Sequence, residues 1–475
     1  MDLNRKQITS DLAIVGMGAG GLFAAALITL LRNGKFLEAL NRPYVETEVK
    51  DLWQADLTKF TLAANLKITL IEGQEQAGKK LNLTGGQRAN LATNLTEELL
   101  AAKYFAAKDF LRKARQYLTP ALLRSLLYSM DIATYYDEQG RLYPKSNQAK
   151  EVTSKLLHTA LANPLSTIYY AEKITDISMD GQQQIILPGS KHTFITKAAI
   201  LATGGASYPK TGSDGAFLER LTANKQFNCS AYPAKPALAA LQQNDFPLAD
   251  LQGISLTDVT LTWETLSRLS KEEERRYQRL KRQSLQGDLL INKKGFSGPC
   301  AMNLARFLRE KAEDNSLTVT WLPAEAIKEA SEKLKQAIHE RDKRPLGLWL
   351  KQNLPLPERL QNSIREKLLT QKYRHQTTMP VKYLTTAEAA DFLEVFCHWH
   401  SVDWHVADLL HAQVTSGGIK RTCIDPNTMA CKAAANVHIV GELLDIDAAC
   451  GGFNLLAAFA TSTLAVKSLL LLPAQ

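Results

Sequence analysis

The chain has 475 residues, 45% hydrophobic and 22% charged, with a formal net charge of +9. That length is too great for one compact core and points to two or three domains of a soluble globular protein. The basic excess favours anionic partners such as phosphates, nucleotides or nucleic acid. The six cysteines (Cys229, Cys300, Cys397, Cys423, Cys431, Cys450) form no CxxC pair, which argues against a zinc ribbon or a thioredoxin motif, and their sparse use suits a reducing cytoplasm.

The first eleven residues are polar and lack the apolar core of a signal peptide. Residues 12–15 are a short apolar run that predicts a strand ending in Gly16-Met17-Gly18-Ala19-Gly20-Gly21, and residues 24–31 predict a helix directly after it. Strand, glycine turn and helix are the context a dinucleotide fingerprint requires. The first glycine allows a tight turn, the second lets backbone approach a pyrophosphate, and the third lets helix and strand pack closely. The phosphates then sit on the N–H groups of the helix N-terminus.

The acid that should hold the adenosine ribose ends the strand Lys67-Ile68-Thr69-Leu70-Ile71-Glu72. Glu72 lies 51 positions beyond Gly21, whereas the gap in such motifs is about 20. Residues 33–65 therefore read as an insertion, a surface helix or flap with Tyr44, Trp53 and Phe60 among its charges. Glu46 and Asp51 are rival acids, but neither ends an apolar strand.

Three more glycine segments follow: residues 78–90 (GKKLNLTGGQRAN), 202–212 (ATGGASYPKTG) and 441–454 (GELLDIDAACGGFN). Residues 197–203 and 436–441 predict strands that lead into the last two. Four such segments in one chain describe repeated returns to one extended ligand with two phosphates, and FAD in an oxidoreductase is the leading reading. Between them the character changes. Strand-like runs occupy residues 236–322, including 259–263 and 317–322, and residues 323–394 turn helical, opening at Pro323-Ala324. Residues 396–406 (FCHWHSVDWHV) read as a strand. The apolar stretches 22–31 and 455–472 fit buried helices; the first is too short to span a membrane and the second carries Thr461, Ser462, Thr463 and Lys467.

These motifs resemble the BaiN/RdsA (YhiN-like) family of FAD-dependent oxidoreductases, which includes bile-acid enone reductases and ribosomal RNA dihydrouridine synthases. The family's GRKLLxTGGGRCNLTN is similar to residues 78–90 with Thr93-Asn94, its ATGGxSYPxTGSxG to residues 202–215, and its GELLFTHxGxSGPA to residues 287–300. Its VTxGGV, TMxSK and GEVLDxxGxxGGYN resemble residues 414–419, 428–432 and 441–454. The resemblance covers nearly the whole chain and implies an α/β fold: a Rossmann-like, glutathione-reductase-like FAD-binding domain over residues 1–235 and 405–475. An inserted β-barrel over 236–322 and 395–404 carries a helical subdomain over 323–394. Three departures from the family stand out: Ala89 replaces its cysteine, Gln87 a glycine, and Asn292-Lys293 its Thr-His.

The cofactor residues so implied are Gly16, Gly18, Ala19, Gly20, Gly21, Glu72 and Gly73 at the adenosine and pyrophosphate end. Lys80, Thr84, Gly85, Gly86, Arg88, Asn90, Ile174, Ala202, Thr203, Gly204, Gly205, Gly441, Glu442, Gly451, Gly452, Phe453 and Asn454 follow along the ligand. Arg88 reads as a counter-charge to phosphate or reduced flavin, or as a structural ion pair. Gly451-Gly452 open the C-terminal helix, whose positive end would favour negative charge on a reduced ring. Candidate proton donors are Tyr208, against a packing role, and Cys450, whose place before that helix predicts a lowered thiol pKa, against a buried space-filler. His398, His400, His405 and His411 lack a closing ligand pattern, so no metal is expected. The run over residues 268–282 (RLSKEEERRYQRLKR) is a solvated helix or an RNA phosphate contact.

The expected activity is NAD(P)H-driven, FAD-dependent reduction of an activated C=C bond, with uracil of ribosomal RNA or its precursor as the first substrate to test. The alternatives are a reductase or oxidase of a small enone or amine, and an RNA- or ribosome-binding flavoprotein without turnover. The sequence does not set NADH against NADPH, or the oligomeric state.

Overall fold

The computed structural model describes residues 5–58, 65–266, 282–308 and 310–470. Phe60 and residues 268–281 of the basic run lie outside the described residues. The chain forms two units, Met1–Lys235 with Gln413–Gln475, and Pro236–Ala412.

The first unit is built on a mainly parallel sheet. Its strand order is Ala430–Cys431, Ala434–Ile439, His192–Leu201, Lys6–Val15, Ile68–Ile71, Ser166–Tyr169. Leu12, Ala13, Ile14 and Val15 are all buried, which is why the central strand reads as an unbroken apolar run: a strand covered on both faces has no solvent side to alternate with. The Ala19–Arg32 helix packs on the C-terminal Phe453–Leu470 helix through Phe23 and Phe459, with ring centroids 4.8 Å apart. Ser462 Oγ donates to Gly20 O at 3.0 Å across that contact. The polar trio Thr461, Ser462 and Thr463 is thus buried within the protein, each hydroxyl bonding a backbone carbonyl.

Register decides where the site falls. Val15 pairs with both Ile71 and Leu201, Ile71 with Tyr169, and Leu201 with Ile439. Five strands therefore finish level along one edge. From the central strand the chain first fills one side (Ile68–Ile71, Ser166–Tyr169) and then the other (His192–Leu201, Ala434–Ile439). The opening strand is thus the topological switch point, and the crevice beyond its carboxyl end is where such sheets take ligands.

The 33–65 segment contains two helices, Lys35–Leu40 and Thr47–Leu57. Trp53 is no flap residue. Its indole is fully buried, donates Nε1–H to Tyr117 O at 2.9 Å, and meets the Phe36 ring edge-on. Burying a large amphipathic ring with its N–H satisfied anchors the segment to the core.

The second unit holds a seven-stranded antiparallel sheet in the order His398–Val402, Asn315–Thr320, Ser255–Thr265, Arg282–Asn292, Gly295–Ser297, Leu241–Gln242, His405–Val406. Its two edge strands are consecutive in sequence, linked only by Asp403 and Trp404. A flat sheet would set them roughly 29 Å apart at about 4.8 Å per strand, beyond the ~11 Å reach of that link. The sheet is rolled into a barrel. Phe246, Phe296, Trp321, Trp399 and Trp404 meet in its interior, with Phe296 and Trp404 stacked at 5.3 Å. Helices follow from Ala324–His339 to Thr386–Cys397, the last opened by a capping box of Thr385 and Glu388. That helix corrects the expected strand over 396–406: Phe396 and Cys397 complete its last turn, and strand begins at His398. The histidines there serve neighbours. His398 Nδ1 bonds Glu394 O, His400 Nδ1 bonds Thr318 Oγ1, and His411 Nδ1 bonds Asp408 Oδ1.

Candidate active site

Three of the four glycine segments leave the level edge of the first unit's sheet, and the second is tied to the first by Gly78 N bonding Met17 O at 2.7 Å. Gly16 N bonds Ile71 O at 2.8 Å, Ala202 N bonds Val15 O at 2.8 Å, Glu72 N bonds Tyr169 O at 2.9 Å, and Val440 N bonds Leu201 O at 3.1 Å. Strand pairing alone thus brings Gly16, Glu72, Ala202 and Gly441 side by side.

At the first segment a side chain is excluded twice. Gly16 has φ +91° and a Cβ there would lie 2.6 Å from Ala202 O; one on Gly21 would lie 2.0 Å from Gly16 O. Gly18, by contrast, faces open space. It begins the Ala19–Arg32 helix with no side-chain cap and no acid in the first turn, so the first N–H groups of the helix are left for an anion. Glu72 fixes this loop: Oε2 accepts from Met17 N and Oε1 from Gln74 N, both at 2.8 Å. Burial pushes its carboxyl above the usual range, and these N–H donors oppose that. Gly73 N–H adds a third donor, so about one of four carboxylate lone-pair positions remains for a ribose hydroxyl. Gly73 follows at the same edge, while Ile174 is buried in the core on a bridge to Gly189.

The second segment turns sharply. Gly85, Gly86, Gln87 and Ala89 all have left-handed φ, from +56° to +68°. Thr84 Oγ1 donates to Leu81 O at 2.7 Å. Ala89 is fully buried. Asn90, with its amide oriented to suit its surroundings, donates to Ala92 O at 3.1 Å and accepts from Gly452 N at 3.2 Å, tying the second segment to the fourth. Arg88 is exposed. Its guanidinium lies 4.6 Å over the Tyr143 ring and donates to Tyr143 Oη at 3.4 Å. Of the two readings of Arg88, the structural ion pair is absent among the described residues, where its partner is the Tyr143 ring in a cation–π stack.

A polar network joins the last three segments. Lys80 Nζ donates to Glu442 Oε2 and to Ser207 Oγ, both at 2.6 Å. Glu442 Oε1 accepts from Thr415 N at 2.6 Å and Ser207 Oγ at 3.0 Å. Thr415 Oγ1 accepts from Ala206 N and Ser207 N at 2.8 and 2.9 Å. Gly205 is buried against Thr415 Oγ1. Ser207 and Thr415 were not singled out from the sequence; the signal was available in the Val-Thr-x-Gly-Gly motif.

Two hydroxyls, Thr203 Oγ1 in the third segment and Ser213 Oγ just after it, are buried and have no hydrogen-bond partner among the described residues. Such groups normally find one. Tyr208 is half-buried with φ +54° in the turn after Gly204-Gly205, a conformation costly for a bulky residue. In the fourth segment, Gly441 N bonds Thr461 Oγ1 at 3.0 Å and Asn454 Oδ1 accepts from Ala448 N at 2.9 Å. Tyr104 Oη donates to Phe453 O at 3.0 Å, fixing the start of the C-terminal helix. Cys450 corrects the expected lowered pKa: burial pushes its thiol up, and the Arg141 guanidinium only partly opposes this. Desolvation outweighs the helix end.

FAD fits these residues. The open Gly18 turn and bare helix N-terminus suit a pyrophosphate, Glu72 a ribose, and the unpartnered Thr203 hydroxyl a polar ring edge. The chain matches the model of the HI0933-like protein Rossmann domain over residues 58–468. It is 25% identical over 415 residues to the 3-dehydro-bile acid delta(4,6)-reductase of Clostridium scindens, covering 85% of this chain and 92% of that one. It is 22% identical over 461 residues to the ribosomal RNA dihydrouridine synthase of Haemophilus influenzae, covering 94% of each. Among solved structures it resembles the 3-ketosteroid-delta4-(5alpha)-dehydrogenase of Rhodococcus jostii, at 11% identity and TM-score 0.43 over 99% of this chain and 98% of that one. The chain belongs to the HI0933-like family, whose members are FAD-dependent oxidoreductases with a Rossmann domain.

Proposed function

We propose that this flavoenzyme reduces an activated carbon–carbon double bond with NAD(P)H as electron donor, and that uracil in ribosomal RNA is its substrate. The observation that carries the reading is the convergence of four glycine segments on one sheet edge, locked by the Lys80–Glu442–Ser207–Thr415 network. Two relatives bear names of C=C reduction, one on a bile acid and one giving dihydrouridine in ribosomal RNA. The longer coverage of the second relative and the net charge of +9 favour the RNA substrate, since phosphates attract a basic surface. Reduction of a small enone is favoured by the higher identity to the bile-acid enzyme.

Bound FAD supplies hydride chemistry that no side chain can. The protein's own residues do the rest. The first N–H groups of the Ala19–Arg32 helix would hold the pyrophosphate, Glu72 the adenosine ribose, and Thr203 and Asn90 the ring end, with Lys80 and Glu442 bracing the backbone beneath. Reduction across C=C also consumes a proton. Cys450 keeps one on Sγ at neutral pH because burial disfavours its thiolate, and Tyr208 Oη is the rival donor. Arg88 offers an exposed cation for a phosphate or a carbonyl oxygen.

Nucleoside mass spectrometry of ribosomal RNA from cells with and without the gene tests this directly. Loss of dihydrouridine at one site, restored by the gene, is expected. Unchanged dihydrouridine together with NAD(P)H consumption on small enones transfers the reading to a small substrate. Salt-sensitive RNA binding without NAD(P)H consumption would mark a flavoprotein without turnover.

A further inference from the structure

Three of the six cysteines gather in the first unit, on residues given no part in cofactor binding. Cys229 and Cys431 are both buried and their sulfurs lie 3.5 Å apart. Cys423, more accessible, accepts from Ser230 N at 3.4 Å, one residue beyond Cys229, and it helps to raise the Cys229 thiol. Backbone bonds from Lys420 N to Ser230 O (2.8 Å) and Lys432 N to Cys423 O (3.0 Å) hold the three together. Among the described residues no group of three His, Cys, Asp or Glu side chains is arranged to bind a metal, so the cluster has redox chemistry open to it rather than coordination.

We propose that Cys229 and Cys431 form a disulfide on exposure to a peroxide, with Cys423 as the entry thiol. The sulfurs start in van der Waals contact, and closing to a bond of about 2.05 Å needs a shift of only about 1.5 Å. The pair is also polarised. Contact with Cys229, helped by the Ala433 and Ala434 N–H groups, lowers the Cys431 thiol against its burial, and the same contact raises Cys229; the Cys431 S–H is also placed to donate to Phe227 O at 3.3 Å. A more readily ionised thiol beside a second thiol is the arrangement that exchange requires.

The steps balance. Cys423 Sγ, as thiolate, attacks one peroxide oxygen; the O–O bond breaks and hydroxide leaves, taking a proton as water. Cys423 is then a sulfenic acid. Cys229 Sγ attacks that sulfur, gives up its proton, and a second water leaves. Cys431 thiolate attacks Cys229 Sγ, forming the Cys229–Cys431 bond and releasing Cys423 as a thiolate, which takes up a proton. Two thiols have been oxidised to one disulfide, and one peroxide reduced to two waters.

The location gives the bond a consequence. Cys229 precedes the Ala231–Ala237 strand, by which the chain leaves for the second unit, and Cys431 follows its return. The disulfide would close a covalent ring around the whole of Pro236–Ala412. It would also tether to Cys229 the Ala430–Cys431 strand, which pairs with Ala434–Ile439, the strand that leads into Gly441 and Glu442. Long loops gain most from such closure.

The test uses the full-length protein with hydrogen peroxide. Thiol titration in denaturant should fall from six to four, the cross-linked peptide should join Cys229 to Cys431, and the melting temperature should rise by about 2–4 °C and return with dithiothreitol. Cys423→Ser should slow closure about tenfold. With an oxidised glutathione probe, Cys431→Ser should abolish the thermal shift while the Cys423 thiol remains modifiable. Capping of Cys423 alone, with Cys229 and Cys431 still reduced, would overturn the proposal. So would a disulfide formed by any other pair.

Discussion

Lys80 and Glu442 are 362 residues apart in sequence, yet the ammonium lies 2.6 Å from the carboxylate, with both side chains about a fifth exposed. This bridge fastens the second glycine segment to the fourth, and its remaining bonds reach Ser207 and the Thr415 N–H. Breaking a largely buried pair from one side leaves a charge without its partner. Glu442→Gln is therefore expected to weaken FAD binding at least tenfold and to cost about 2 kcal/mol of stability. Flavin absorbance per mole of purified protein and urea unfolding measure the two effects. A Lys80→Met, Glu442→Leu double variant should recover part of the stability without the flavin. Full flavin loading in Glu442→Gln would show that the bridge is dispensable to the site.

Gly21 shapes the phosphate turn from behind. Its missing Cβ would lie 2.0 Å from Gly16 O, so Gly21→Ala must push the helix off the strand that delivers Gly16. The substitution should yield protein without flavin, destabilised by about 1–3 kcal/mol. Gly18→Ala is the contrast. With nothing within 4 Å of its added methyl, the fold should be preserved and only ligand approach impaired. Equal thermal stabilities for the two variants would contradict this division.

The sequence disclosed the sheet through its apolar runs and the site through its glycines, because both are local: a buried parallel strand needs an unbroken apolar stretch, and a turn against another backbone needs glycine. What it concealed is long-range. Trp53 looked like a residue of a surface insertion because nothing nearby in sequence reveals that Phe36 and Tyr117 close around it. Thr415 and Ser207 matter through Lys80, Glu442 and each other, contacts between segments far apart in sequence. The place of Cys450 before a helix predicts a lowered thiol, but its burial, which local sequence does not reveal, sets its proton affinity. Gln87 shows the limit of motif matching in another way: it holds φ +68°, where the family's glycine would carry no strain.

Arg88 sits on Tyr143 with no carboxylate partner among the described contacts, and it is exposed at the edge of the second segment. Under the proposed function it meets the substrate's negative charge. Arg88→Ala should raise KM about tenfold with kcat changed less than threefold, equivalent to about 1.4 kcal/mol of binding. On an RNA substrate the salt dependence of binding should also flatten by about one phosphate contact. Arg88→Lys should recover only part of the loss, because an ammonium lacks the planar face that stacks on Tyr143. A fall in kcat with KM unchanged would instead place Arg88 at the reacting atoms.

His438 gives the fold an acid limit. It lies in the Ala434–Ile439 strand, fully buried, and neither ring nitrogen has a hydrogen-bond partner among the described residues. Burial alone lowers its pKa from 6.5 to about 4. The unfolded chain therefore binds a proton at this residue as pH falls through 6.5, while the folded chain stays neutral there until about pH 4. Protonation favours the unfolded state throughout that window, so stability is intact above pH 6.5 and drains away as pH falls towards 4. Between pH 7.5 and pH 5 the loss from this one residue comes to about 2 kcal/mol. His438→Leu removes the titrating group and also the desolvated nitrogens. Its urea midpoint should therefore equal or exceed that of the parent at pH 7.5, and its decline between pH 7.5 and pH 5 should be smaller by about that amount. Parallel declines in the two proteins would mean that the acid sensitivity of this strand arises elsewhere.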